Sequence, residues 1–233
     1  MKSAYRNLPR RSGNQAGISL IELMIAMVLG LIVVTALMNM YMGSTRSATF
    51  SEGLRTMQEN GRHGVQVLKR GIRLAGYSPV ARIPAFNLAQ SGDSKLVVRM
   101  VAQQDCNGGS TATVGGVAVN TYELNTTTEQ ITCTGNGPGA MAMPVIDGVE
   151  DFRVLYGVDA DDDNFPESYR NHAAVSNVLQ IRSIRFALLV TSQEPIRSRP
   201  VTETHVMLDN EVSKSDRRMR HVFSTTVMLR NLR

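Results

Sequence analysis

Hydrophobic positions divide this 233-residue chain into two regimes. From Ile18 to Met42 the sequence ISLIELMIAMVLGLIVVTALMNMYM is apolar almost without interruption, and Glu22 is its only strong acid or base. As a helix rising about 1.5 Å per residue, this stretch spans roughly 37 Å, enough to cross a hydrocarbon core of about 30 Å. The pattern then narrows to a stripe. Phe50, Leu54 and Met57, and further on Val65, Leu68 and Ile72, recur at spacings of three and four, which predicts that the helix continues as an amphipathic element. The run Gly76, Tyr77, Ser78, Pro79 should end it. Gly53, Gly61, Gly64 and Gly71 interrupt this half; each weakens a helix by about 1 kcal/mol relative to alanine, so local bends are expected.

Beyond residue 77 the apolar period becomes two. Candidate strands fall at 95–101, 116–124, 144–157, 178–191 and 219–230. In the third, Phe152, Val154 and Tyr156 share one face; in the fourth, Ile184, Phe186, Leu188 and Val190 do. Both faces suit packing against the amphipathic half of the helix. Gly- and Thr-rich stretches at 107–116 and 125–139 read as exposed loops, and no internal repeat is seen. The fold class is therefore α+β: a long N-terminal helix packed on a mainly antiparallel β-sheet head.

Charge places the chain relative to a membrane. The formal net charge is +5, and Lys2, Arg6, Arg10 and Arg11, with no acid before residue 18, supply most of it. The remainder holds 21 basic and 20 acidic residues, so no direct nucleic-acid partner is expected. A basic start before a long apolar run holds the N-terminus in the cytoplasm and sends the rest across the bilayer. The run is too long for an ordinary secretory signal, whose apolar region has about 7 to 15 residues. An ionisable group in a bilayer costs about 2.5 to 3.5 kcal/mol at the centre, so Glu22 points to a function, although four residues into the run it can also reach the headgroups.

Basic leader, Gly17, apolar start at Ile18 and acid at Glu22 together resemble the class III signal of type IV prepilins and pseudopilins, carried here by GISLIELM at 17–24. The resemblance implies that a prepilin peptidase cuts between Gly17 and Ile18 and methylates the new amine of Ile18, leaving the apolar segment on the mature chain. It further implies a pilin-like lollipop with a cleaved leader at 1–17, a transmembrane and assembly helix at 18–42, its amphipathic continuation at 43–76 and a periplasmic β-rich head at 77–233. A helix from 18 to 76 would be roughly 88 Å long. Glu22 can then pair with the Ile18 amine of a neighbouring subunit, satisfying two otherwise costly charges. The chain departs from the usual pattern at Ile18, where phenylalanine is more common, and at Asn39, where many major pilins have proline.

The two cysteines, Cys106 and Cys133, lie outside the cytoplasm in this topology, where a disulfide is expected rather than a metal site built on two thiols and four scattered histidines. Closing the intervening segment would stabilise the head by roughly 3 to 4 kcal/mol. YGVDADDDNFPE at 156–167 places Asp159, Asp161 and Asp163 at alternate positions, followed by Asn164. This resembles the start of a calcium loop, with Asn164 able to take the left-handed conformation usual for glycine. The twelfth position is Arg170 rather than glutamate, with Glu167 a substitute, and a solvated acidic turn fits the same residues. DRRMRH at 216–221 reads as a solvated charged run beside a strand, with a partner contact as the alternative. No nucleophile elbow, phosphate loop, paired-histidine helix or dinucleotide fingerprint is found, so the chain reads as a non-enzyme with no required cofactor.

QENGRHGVQVLKRGIRLAGY, VEDFRVLYGVDADDDN, IRSIRFALLVTS and RHVFSTTVMLRN are similar to segments of PilW-type minor pilins of Gram-negative type IV pili. That resemblance implies a low-abundance subunit that joins other minor pilins and the major pilin in an inner-membrane priming complex. It acts with the assembly platform, can sit beneath a tip adhesin and ends in the extracellular pilus. Two alternatives stay open: a minor pseudopilin of a type II secretion system, which shares the signal, and a signal-anchored envelope protein with a binding or enzymatic head.

Overall fold

The structure is a computed structural model that describes residues 17–231. The expected leader lies outside the described residues apart from Gly17. The chain forms two compact units divided between Ser47 and Ala48. Helix α1, Leu20–Leu74, supplies all the regular structure of the first unit and the first element of the second. It is unbroken at Asn39 and at each of its glycines.

In the second unit ten strands follow α1: β1 Lys95–Val101, β2 Val117–Asn125, β3 Gln130–Thr134, β4 Met143–Asp147, β5 Val149–Val158, β6 Ser168–Arg170, β7 Ile181–Thr191, β8 Val201–Met207, β9 Asn210–Asp216 and β10 Arg220–Met228. They make two four-stranded sheets, in the orders β1-β2-β3-β4 and β10-β7-β5-β6, and the hairpin β8-β9. Every pairing is antiparallel. The α+β class read from periodicity is the class observed.

Three expectations change. The single strand at 144–157 is two strands in different sheets, because Gly148, at φ 70°, turns the chain between Asp147 and Val149. The Thr191 amide donates to the Gly148 carbonyl at 2.8 Å and holds that corner. The stretch 125–139 is not simply an exposed loop, since it contains β3 with Ile131 and Cys133 fully buried. Within 107–116, Thr111 is fully buried and donates its hydroxyl to the Ala102 carbonyl. The hairpin β8-β9 was not expected at all. Its two-residue turn puts Leu208 at φ 60°, a position where glycine is the usual signal.

The α1 glycines have a different role from the one their propensity suggests. Gly53, Met57, Gly61, Gly64, Leu68 and Gly71, with Ala75 just past the helix end, fall at spacings of three or four and form one seam. Along it Gly61, Gly64 and Gly71 are buried with Met57, Leu68 and Ile72. A Cβ on Gly64 would come 2.9 Å from both Ile146 and Leu188, one on Gly71 would come 2.6 Å from the Tyr122 hydroxyl, and one on Gly61 would overlap the Phe223 ring. Tyr122 and Ile146 belong to the first sheet, Leu188 and Phe223 to the second, so both sheets close on the same helix face. Phe152, Val154 and Tyr156 join Ile184, Phe186, Leu188 and Val190 in that core. The alternate residues Ala187 and Leu189 are buried too, beneath Met207 and Val212 of the β8-β9 hairpin. Strand β7 is thus covered on both faces.

The basic run at 216–221 is an internal clasp rather than a solvated face. Arg220, with only 3% of its side chain exposed, binds Glu150 at 2.6 and 2.9 Å and Asp216 at 2.6 and 2.8 Å. Arg218 binds Glu129 at 2.5 and 2.7 Å and donates to the Ser192 carbonyl. Two guanidinium forks therefore join β5, the end of β9, the start of β10 and the residue preceding β3. The hydrogen bond from Arg220 is the largest influence on Asp216 and holds its pKa at about 2; hydrogen bonding from Arg218 likewise lowers that of Glu129.

Two outcomes follow for the full-length chain in detergent. Gly64→Val should lower stability by about 1 to 3 kcal/mol through overpacking, although glycine is the poorer helix former; Gly43→Ala, which meets open space, should cause no loss. A Gly64→Val melting temperature at or above wild type would contradict the seam. For Asp216, a folded pKa below the ordinary value of 3.8 means stability that is full above that value and lost as pH falls toward about 2. Asp216→Asn should therefore destabilise at pH 7 and flatten the fall in melting temperature between pH 4 and pH 2 (about two units of the titration range). An unchanged acid profile would refute the assignment.

Candidate functional site

The first unit presents an apolar helix surface with no side chain buried. Ile18, Leu20, Ile21, Leu23, Met24 and the apolar residues through Met42 are exposed around the whole circumference of α1. Such a surface requires a lipid bilayer or other helices to cover it. Glu22 stands in the first turn of α1, where the unpaired amides of a helix N-terminus favour a negative charge. Among the described residues no partner contacts its carboxylate. Gly17 and Ile18 precede the helix and are exposed.

In the head, the acidic residues of 159–167 close a loop between β5 and β6 around Asp159. The Asp159 side chain is fully buried: Oδ1 accepts from the Asp162 amide at 2.7 Å, while Oδ2 accepts from the Asn164 amide at 2.9 Å and Arg182 Nε at 2.8 Å. Burial alone would raise the Asp159 pKa, but these partners together outweigh it and hold the carboxyl below its ordinary range. Asp162 and Asn164 take positive φ values of 64° and 74°, so Asn164 has the left-handed backbone expected of it. Its amide is used within the loop, and Arg182 also reaches Asp162 at 2.5 Å.

One oxygen from each of Asp159, Asp161, Asp163 and Glu167 lies within 4.8 Å of the others. Asp161, Asp163 and Glu167 are the exposed members of this group, and Glu167 accepts from the Ala160 amide at 2.7 Å. The donor set therefore fits a cation only in part, because its one buried carboxylate already serves a guanidinium and two amides. Arg182 was invisible to sequence spacing. It sits 23 positions after Asp159 in an apolar strand, and only the β5-β7 register brings them together.

Cys106 and Cys133 are joined by a disulfide that ties the segment after β1 to β3. Asp105 beside it accepts from the amides of Asn107 and Gly109 at 2.9 Å and of Gly137 at 2.7 Å. These contacts outweigh the opposing effect of burial and lower its pKa. The disulfide and Asp105 order two stretches whose composition suggested loops. The four histidines do not converge: His172 meets Asp93, His205 lies near Glu203, and His221 stacks edge-on against Phe223.

Comparison with known proteins agrees with the helix and the head separately. Residues 12–38 match the prokaryotic N-terminal methylation motif, which spans Gly17, Ile18 and Glu22. Residues 113–231 match the family model described as type IV pilus-assembly protein W. No curated protein matches the chain. Among solved structures, a type IV-like pilin from Thermus thermophilus is similar, with 16% sequence identity and a TM-score of 0.46 over 78% of this chain and 96% of that one. The family model covers just over half of the chain, from the head's first sheet through β10, and on that ground the chain belongs to the type IV pilus-assembly protein W family.

Proposed function

We propose that this chain is a minor pilin that joins an inner-membrane priming complex and initiates type IV pilus assembly near the pilus tip. The observation that carries the reading is the exposed apolar stretch at 18–42, whose one acid, Glu22, lies inside a matched methylation motif. A prepilin peptidase would cut between Gly17 and Ile18 and methylate Ile18. Only that cut supplies the cationic amine that Glu22 can meet, since in the uncut chain the Ile18 nitrogen is a peptide nitrogen. Before assembly the helix at 18–42 is solvated by the inner membrane, and the head is periplasmic. In the filament, neighbouring helices of other minor pilins and the major pilin replace lipid, and Glu22 paired with a neighbour's Ile18 amine fixes the subunit register.

The head then serves as a folded platform that selects neighbours, the assembly platform and a tip adhesin among them. Calcium is dispensable in this reading, because Asp159 is satisfied by Arg182 and two amides; the exposed carboxylates of Asp161, Asp163 and Glu167 offer it an optional seat.

A clean deletion complemented with wild type and with Glu22→Ala tests the function. Surface pili should be lost in the deletion while secreted proteins stay normal, and Glu22→Ala should insert in the membrane yet restore few or no pili. Lost secretion with intact pili would instead identify a secretion pseudopilin, and full rescue by Glu22→Ala would remove the pairing role. For the acidic loop, a chelator should leave the melting temperature of the purified chain unchanged. A clear fall, reversed by calcium, would show that an ion is structural, with the size of the shift following RT ln(1 + [L]/Kd).

A further inference from the structure

The outer edge of β10 is an open line of main-chain hydrogen-bonding groups. Ser192 donates to the Met219 carbonyl and Leu229 to the Arg182 carbonyl, both at 2.8 Å, which fixes the hydrogen-bonded pairs of β10 with β7. Alternation along this antiparallel pair turns the N–H and C=O of His221, Phe223, Thr225 and Val227 toward β7. The same alternation turns those of Val222, Ser224, Thr226 and Met228 away from it. Strand β10 ends its sheet, and among the described residues no other segment bonds to those four. Ser224, Thr226 and Met228 are exposed.

Two of the other edges, along β1 and along β5, are met from within. Along β1, Arg99 donates to Ala85 and Val101 to Tyr77, and the Asn87 amide donates to the Val97 carbonyl. Along β5, β6 pairs with residues 156–158, Val154 donates to Asp93, and the Asp151 carboxylate accepts the Phe152 amide. Strand β4 carries Pro144. Strand β10 has none of these devices. From His221 to Leu229 it contains no proline, lysine, arginine or acid, and its register has no bulge.

We infer that the β10 edge is a docking site for an extended, uncharged strand of another membrane-anchored subunit, added parallel to β10 as a fifth strand of its sheet. The inference rests on the pilus-subunit reading. Main-chain groups of Val222, Ser224, Thr226 and Met228 supply the hydrogen bonds, and the small hydroxyl side chains of Ser224 and Thr226 admit β-branched or small neighbours. Direction follows from the head. Gly61 of α1 meets Phe223, and Asn231, just past β10, donates to the carbonyls of Arg73 and Ala75, so α1 and β10 run the same way. A second copy paired antiparallel through β10 would run the two head helices in opposite directions, whereas subunits anchored in one membrane begin them from the same side. A parallel strand from a neighbour keeps the helices aligned.

Thr226→Pro tests the edge in the full-length chain, because the amide it removes points outward and makes no bond to β7. Ser224→Lys, which adds a charge at an exposed position opposite the uncharged Ala187 without touching the main chain, is the second variant; Thr226 is unsuited to this role because its hydroxyl accepts from Arg185 across the pair. Both should reach the membrane at wild-type level, and Ser224→Lys should keep the wild-type melting temperature, while their recovery in sheared pili falls about tenfold or more. Normal recovery of both variants, alongside loss with Glu22→Ala, would overturn the edge proposal and leave the pilus reading intact. Absence of the wild-type chain from pili would overturn both. Dimerisation of the purified wild-type chain that Ser224→Lys abolishes would make a second copy the occupant, against the proposal.

Discussion

The close approach of the head half of α1 to two sheets at once is the constraint on which the second unit depends. A helix lined with leucine would hold the sheets further out; here Gly61, Gly64 and Gly71 let Phe223, Ile146, Leu188 and Tyr122 reach its backbone. Leu68 and Ile72, fully buried between these contacts, each add about 1.5 to 3 kcal/mol of apolar burial. Because one sheet brings Tyr122 and Ile146 and the other brings Leu188 and Phe223, the helix is the element both sheets share. Gly148 passes the chain from one to the other, and the Arg218 and Arg220 forks secure the ends of the strands near that corner.

The same helix meets opposite demands along its length. Its second half is specified by shape, one glycine-lined seam against a core. Its first half is specified by composition alone, apolar on every side with Glu22 as the exception. Membership of the type IV pilus-assembly protein W family gives that exception its setting, and the acid lies within the matched methylation motif. In the proposed reading, an apolar surface suited equally to lipid and to like helices serves the subunit in both membrane and filament.

Periodicity made the helix, four of the strand regions and the two apolar faces legible, because each depends on side chains a few positions apart. What it missed depends on contacts distant in sequence or on backbone conformation. Glycines read as weak points where the helix would bend serve as contact points only when Tyr122 and Phe223 are placed opposite them. Leu208 hid a hairpin because it occupies a turn position that glycine normally marks. DRRMRH read as solvated because Glu129 and Glu150, its partners, lie 89 and 70 positions away. Likewise the acidic loop fitted both a cation and a solvated turn, and Arg182 from β7, which binds its buried Asp159, lay outside the local pattern. The N-terminal motif was legible because it is local and linear, and residues 12–38 match it.

The central claim is that Ile18 becomes the mature N-terminus and that the chain then resides in the filament. Mass spectrometry of the N-terminal peptide of this chain, recovered from sheared and washed pili, addresses both parts at once. The account predicts a peptide beginning at N-methylated Ile18 and carrying unmodified Glu22. A chain that still begins at Met1, or one confined to membranes and never found with the pili, would contradict it.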